Sequence, residues 1–176
     1  RVPRLAFINK MDRVGANPER VTESLREKLN LNAVAIQTKI GAEDDFLGHI
    51  DLVNMKAYYF EGDNGENIRE EAIPAELLDE ATSQREVMMD ALSMLDEELM
   101  EMMLDEAEIS EEKVKQVIRK GTMSLELVPV LVGSAYKNKG VQSMLDAVLA
   151  YLPSPMDREQ VVALDPKDET ITIDVN

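Results

Sequence analysis

The stretch Arg4-Leu5-Ala6-Phe7-Ile8, running into Asn9-Lys10-Met11-Asp12-Arg13, decides the fold. A short apolar run that stops abruptly at Asn, Lys and Asp reads as a buried parallel strand. It delivers polar side chains to the carboxyl edge, where open α/β sheets bind ligands. The spacing Asn9-Lys10-x-Asp12 suits a guanine base. A carboxylate in the base plane accepts from the ring N1–H and the exocyclic amine together, a charge-assisted pair that adenine does not offer. Lys10 can lay its aliphatic stem along one face of the base with its ammonium in water, and the Asn9 amide can bridge neighbouring backbone to fix the turn. Three fixed letters are a weak signal alone, and a polar loop after a strand would look the same.

A second strand exit supplies the complement. Val128-Pro129-Val130-Leu131-Val132 is another buried run, and it stops at Gly133-Ser134-Ala135-Tyr136-Lys137-Asn138-Lys139-Gly140. Small residues let the backbone come close to a ligand, so the Ala135 N–H is expected to donate to guanine O6 while the Ser134 hydroxyl orients Asp12.

Together these two exits resemble the fourth and fifth guanine-nucleotide motifs of the bacterial elongation factor G family. The flanks agree: Gly41-Ala42-Glu43, Ile50-Asp51-Leu52-Val53 and Ile73-Pro74-Ala75-Glu76-Leu77 resemble that family's inserted subdomain, and Leu152-Pro153-Ser154-Pro155 its exit from the GTPase domain. The resemblance fades after Pro155. It implies an α/β fold: a partial P-loop-NTPase-type parallel sheet of two strands and two helices, interrupted by an α+β inserted subdomain. The implied division is residues 1–30 and 127–153 for the GTPase part, 31–126 for the insert and 154–176 for a linker toward a following β domain. The implied nucleotide-binding set is Asn9, Lys10, Asp12, Ser134, Ala135 and Tyr136, with GTP or GDP as ligand. Also implied are a parent GTP hydrolase that drives ribosomal translocation and a cytoplasmic location. The ribosome would be the partner, its large-subunit stalk protein meeting the insert.

Composition is consistent with a soluble globular piece: 176 residues, 44% hydrophobic and 31% charged. No Cys is present, which excludes a disulfide scaffold and thiolate metal sites. No apolar run reaches membrane-spanning length, and the start at Arg1 shows neither an initiator Met nor a signal-peptide pattern, so the chain reads as part of a longer one. A formal charge of −16 disfavours direct binding to DNA or to an RNA backbone by this surface.

Along the chain, Asn17-Pro18-Glu19 opens a helix with a cap, a proline at the first helical position and an early acid. Val21, Leu25 and Leu29 mark the face expected to cover the first strand, and Asn30-Leu31-Asn32 ends the helix. Val34-Ala35-Ile36-Gln37, Gly48-His49-Ile50-Asp51-Leu52-Val53 and Met55-Lys56-Ala57-Tyr58-Tyr59-Phe60 then read as strands of one small, mostly antiparallel sheet, with a turn at Gly62-Asp63-Asn64-Gly65. Asp12-Arg13-Val14-Gly15 and Asp45-Phe46-Leu47-Gly48 imitate the magnesium-side motif Asp-x-x-Gly. The first reuses the base-reading Asp12, and the second has no buried strand before it. His49 is the single histidine and reads as structural.

After Pro74, residues Leu77, Ala81, Met88, Leu92, Leu95, Leu99 and Met103 keep helical spacing, predicting one long helix with an irregularity near Gln84-Arg85 and a Met-rich core face. A second helix is capped by Ser110, carries Glu111 and Glu112 at its positive end, staples Ile109 onto Val114 and closes at Lys120-Gly121. Residues 74–112 hold fourteen acids against one base, Arg85, a solvated face or a docking surface. Val141, Met144, Leu145, Val148, Leu149 and Leu152 predict a last helix packed beside the first, stopped by Pro153. In the tail, Pro166-Lys167-Asp168 reads as a turn and Thr170-Ile171-Thr172-Ile173-Asp174-Val175 as a linker or stray edge strand.

No Gly-x-x-x-x-Gly-Lys-Ser/Thr loop occurs, so nothing in this sequence cradles the β- and γ-phosphates or places a hydroxyl on magnesium. Magnesium would be held in the parent by residues outside this chain. Two function classes remain: the base-recognition part of a translational GTPase, inactive alone, or a protein-interaction module whose acidic insert is the working surface.

Overall fold

A computed structural model of the chain describes residues 2–62 and 64–157 in full and the backbone of residues 160–164 and 170–174. The fold is α/β with two separate sheets. In the first, β7 (Val128–Val132) lies between β1 (Ala6–Ile8) and β2 (Ala33–Ala35), parallel to both, with Ala6 opposite Val130 and Ala33 opposite Val128. All five residues of β7 are buried, as a strand covered on both faces requires. Pro129 is tolerated there because the Val128 N–H already donates to Asn32 on the β2 side. The missing donor of Pro129 therefore faces β1, whose pairing starts one residue later at Val130.

This sheet has three strands where two were expected. Val34 and Ala35 belong to it rather than to the antiparallel sheet, because β7 offers a free edge just where the chain returns from α1 (Pro18–Leu29). After a single bend at Ile36 the chain enters the second sheet, a meander of β3 (Gln37–Ile40), β4 (Gly48–Asp51), β5 (Lys56–Glu61) and β6 (Asn67–Glu71). The two sheets therefore abut: the Ile36 N–H donates to Val130, and the Leu52 N–H donates to Ile36.

α1 starts as its sequence dictates, with Asn17 Oδ1 accepting from the Arg20 N–H at 2.7 Å and Asn30 closing the helix in the left-handed region. Its inner face differs from the expected one. Pro18 and Thr22 are buried while Val21 and Leu29 are exposed; of the expected face only Leu25 packs inward, on the cluster that holds Ile8 of β1, and the helix lies mainly against β2.

The long helix predicted after Pro74 is two: α2 (Ala75–Ser93) and α3 (Glu97–Leu104). Gln84 and Arg85 sit in unbroken helix, where Arg85 reaches the Leu52 and Val53 carbonyls. The break falls at Asp96, which accepts from the Leu99 N–H at 3.1 Å as the cap of α3 and also pairs with Lys113 at 2.9 Å and Lys120 at 2.7 Å. Those two ammonium groups hold the Asp96 carboxyl well below the usual carboxylate range. α4 (Glu111–Met123) is capped by Ser110, but it runs through Gly121 instead of stopping there. A Cβ on Gly121 would sit 2.9 Å from Leu95 and 3.0 Å from Leu127, so this glycine serves close packing.

α5 (Val141–Tyr151) packs on α4 rather than beside α1. Ala147 and Tyr151 are its buried residues, while Leu149 of the predicted apolar face is 81% exposed. The methionines divide: Met88 and Met89 fill the main core, whereas Met94 and Met100 are exposed. β8 (Gln160–Leu164) and β9 (Thr170–Asp174) pair antiparallel, so the tail holds a two-stranded ribbon, not a lone strand. Asp63 of the predicted turn at 62–65, the turn at 166–168 and Val175 lie outside the described residues. No helix among the described residues is long and apolar enough to cross a membrane.

Candidate functional site: two loops at the sheet's carboxyl edge

The parallel pairing of β1 with β7 brings both strand exits to one edge, and the backbone zips them together. The Gly133 N–H donates to Ile8 at 3.0 Å, and the Met11 N–H donates to Gly133 at 3.1 Å. Gly133 is the only residue that fits here, since a Cβ would lie 2.4 Å from the Lys139 carbonyl and 2.6 Å from the Phe7 ring. Past it, Ser134 and Lys139 exchange backbone hydrogen bonds at 2.8 and 2.9 Å, which folds residues 135–138 into a tight outward loop.

Asp12 and Ser134 meet at the centre. Ser134 Oγ donates to Asp12 Oδ1 at 2.6 Å, and both residues are buried. That hydroxyl, with Lys137 and Arg13 behind it, holds the Asp12 carboxyl below its ordinary value, so the group is an anion at neutral pH. The second oxygen, Oδ2, keeps only distant cations, Arg13 Nε at 3.8 Å and Lys137 Nζ at 3.9 Å. A carboxylate with one oxygen fixed and the other unsatisfied by short bonds is built to accept from a ligand.

Asn9 ties the loops a second time: its Oδ1 accepts from the Lys10 N–H at 2.7 Å and from the Ala135 N–H at 2.9 Å. The donor expected to face guanine O6 is therefore held by Asn9 in this arrangement. Lys10 is exposed, its backbone in the left-handed region at φ 65°, and the Tyr136 ring is 94% exposed. Asp12 with Ser134 and Asn9 with Ala135 thus form two hydrogen-bonded pairs side by side on the chain, while the side chains of Lys10 and Tyr136 flank them without partners among the described residues. A separate cleft of about 240 Å³ is lined by Thr22, Arg26, Val34, Gln37 and Met88 among others and by none of these six residues.

Residues 1–154 match the family model described as the elongation factor Tu GTP binding domain. The chain belongs to that family. Among elongation factor Tu-type relatives it is 55% identical over 91% of its length to elongation factor G 1 of Desulfotalea psychrophila, and 53% identical over 99% to elongation factor G 1 of Borreliella afzelii. It is also 52% identical over 99% of its length to elongation factor G of Rhodopirellula baltica. The chain spans about a quarter of the length of these curated relatives, 23% of the first and 25% of the other two. Among solved structures it is similar to the crystal structure of ttk003000868 from Thermus thermophilus, with a TM-score of 0.75 and 26% identity, over 97% of this chain and 26% of that one.

Some residues of this GTP-binding-domain edge escape a reading of the sequence alone. Glu43 accepts from the Gly15 N–H at 3.0 Å, and Lys139 Nζ donates to the Phe46 carbonyl at 2.6 Å. Nothing local marks either contact, because the partners lie 28 and 93 residues apart. His49, expected as a satisfied structural or an exposed histidine, is fully buried with only one ring nitrogen satisfied. Gln37 holds its Nε2 at 3.2 Å, Tyr58 and Phe60 lie against its ring at 5.5 Å, and Nδ1 has no partner among the described residues.

Proposed function

We propose that this chain is the guanine-base-recognition part, with the inserted subdomain, of a translational GTPase that drives ribosomal translocation. The observation that supports this best is the buried Ser134–Asp12 hydrogen bond at 2.6 Å, which presents an ionised carboxylate at the edge of a parallel sheet in a GTP-binding-domain family member. Asp12 accepts from guanine N1–H and the exocyclic amine, Lys10 and Tyr136 cover the base faces, and the Ala135 N–H passes from Asn9 to guanine O6 when the base arrives. The nucleotide is GTP or GDP, with its phosphates and magnesium held by residues of the parent outside this sequence. In this reading residues 1–30 and 127–153 are GTPase domain, joined by β2 (Ala33–Ala35), which pairs with β7 in the parallel sheet, so the insert starts after Ala35 and not at residue 31, and the protein works in the cytoplasm. The chain alone binds GDP weakly and hydrolyses nothing, since it lacks phosphate contacts that contribute about 1.5–3 kcal/mol each. Calorimetric titration with GDP and a phosphate-release assay test this. Submicromolar binding, or magnesium-dependent turnover by the pure chain, contradicts it.

A second role rests on the insert's surface. Of the bases that could neutralise the acidic stretch, Arg85 is spent on backbone carbonyls, and Lys113 and Lys120 both close on Asp96. Glu97, Glu101 and Glu108 are left exposed beside exposed Met94, Met100 and Leu104. We propose this face as the docking surface for the large-subunit stalk protein. Rim charges act mainly on encounter rate. Reversing Glu97, Glu101 and Glu108 to Lys therefore slows stalk-dependent association of the parent with ribosomes and flattens its salt dependence, with nucleotide affinity unchanged. Stopped-flow association at several salt concentrations measures it, and unaltered rates at low salt reduce the face to a solvated surface.

A further inference from the structure

Neither base-reading loop is held by the parallel sheet alone. One loop of the antiparallel unit, residues 41–46, grips both. Glu43 Oε1 takes the Gly15 N–H at 3.0 Å, which anchors the turn that follows Asp12. Three residues on, the Phe46 carbonyl takes Lys139 Nζ at 2.6 Å, which anchors the loop that carries Ser134 and Ala135. The Phe46 ring is buried with Ile8, Met11 and Val132 directly beneath the two strand exits. The hairpin turn between β5 and β6 adds a third contact. A Cβ on Gly65 would lie 2.6 Å from the Lys137 carbonyl oxygen, so the two backbones touch there.

The gripping loop is itself stiff. The Asp45, Phe46 and Leu47 N–H groups all close back onto residues 40–43, and a Cβ on Gly41 would lie 1.9 Å from the Asp45 carbonyl oxygen. Glu43 is held at φ 56°, in the left-handed region that a non-glycine residue keeps only where its surroundings impose it. A strained residue whose side chain reaches across to the turn after Asp12 marks a designed contact and not a slack surface loop.

We infer that residues 41–46 are a clamp that positions the guanine-reading loops, with Glu43 and Lys139 as positioning residues, so that moving the antiparallel unit changes how firmly the base is held. This rests on the reading of Asp12 as the base acceptor. The physical consequence is specific. If the clamp loosens, Asp12 drifts from the base plane, and the exocyclic amine, present in guanine and absent in hypoxanthine, loses its acceptor.

The test is the release of GDP and of IDP from the full-length parent, followed with fluorescent analogues. Glu43→Ala and Lys139→Met speed GDP release and shrink the ratio of IDP to GDP release rates by roughly 2- to 10-fold, the range one hydrogen bond commands. Glu43→Gln, which keeps a side-chain acceptor, and Lys139→Arg, which keeps a donor, restore the ratio. A merely structural contact would speed both nucleotides alike. An unchanged ratio in both Glu43→Ala and Lys139→Met therefore overturns the clamp, as does failure of the conservative variants to rescue. Asp12→Asn in the same assay with GDP and XDP separates the two levels. If it leaves guanine preference untouched, the base assignment itself has failed. If it moves the preference while the clamp variants do not move theirs, the base assignment stands and the clamp falls.

Discussion

Asp12→Asn in the full-length parent moves nucleotide preference from GTP toward XTP. Ser134 Oγ–H donates to Oδ1, so in the variant the amide carbonyl keeps that bond and the NH₂ takes the place of Oδ2, the oxygen free to meet a ligand. A donor there opposes guanine's exocyclic amine but suits the carbonyl that xanthine carries at the same ring position. Losing one charge-assisted bond costs about 1.5–3 kcal/mol, so GTP affinity falls roughly 10- to 150-fold before the donor–donor clash is counted. Competition between GTP and XTP measures the shift. An unchanged ratio removes Asp12 as the base reader.

Acid destabilises the chain through its single histidine. Burial pushes the His49 imidazole down from 6.5 to about 3. Below pH 6.5 the unfolded chain takes up a proton that the folded chain refuses until about pH 3. The unfolded state therefore binds more protons across that window, and stability falls as pH drops through it. With the folded value near 3, the loss at pH 5 is about 2 kcal/mol, at about 1.4 kcal/mol per unit. Urea unfolding at pH 7 and pH 5 shows this loss in the wild-type chain and not in His49→Gln, whose carbonyl can still accept from Gln37. Equal pH dependence in the two proteins would mean that His49 is protonated in the folded state. The effect also bears on the site, because the Gln37 amide that meets His49 accepts from the Val132 N–H at the end of β7 through its own oxygen.

The parts of this fold that were legible are those where one residue's chemistry decides a local outcome. Apolar runs that end in Asn9 and in Gly133 located β1, β7 and the loops beyond them, and Asn17 and Ser110 marked helix starts that the structure keeps. Where neighbours in space decide, the pattern misled. Ala33–Ala35 reads equally well as a parallel or an antiparallel strand, and the free edge of β7 made the choice. Leu92, Leu95, Leu99 and Met103 keep helical spacing straight across the break between α2 and α3, which hid Asp96 as a cap among its acidic neighbours. Gly121 looked like a stop and is instead a contact surface for Leu95 and Leu127. In the site, the pairing of Ser134 with Asp12 was legible because each is the small or charged residue just past a buried strand. The contacts of Glu43 with Gly15 and of Phe46 with Lys139 were not, because only the abutting of the two sheets brings Glu43 and Phe46 to the loops.

The central claim, that these two loops read a guanine, is tested most directly by a crystal structure of the full-length parent with GDP. The account predicts the Asp12 carboxylate in the plane of the base, with its oxygens about 2.7–3.0 Å from N1 and the exocyclic nitrogen. Ser134 Oγ remains on Oδ1, and the Ala135 N–H is turned from Asn9 to O6. A base seated elsewhere, or seated here with Asp12 beyond hydrogen-bond reach of N1, would contradict it.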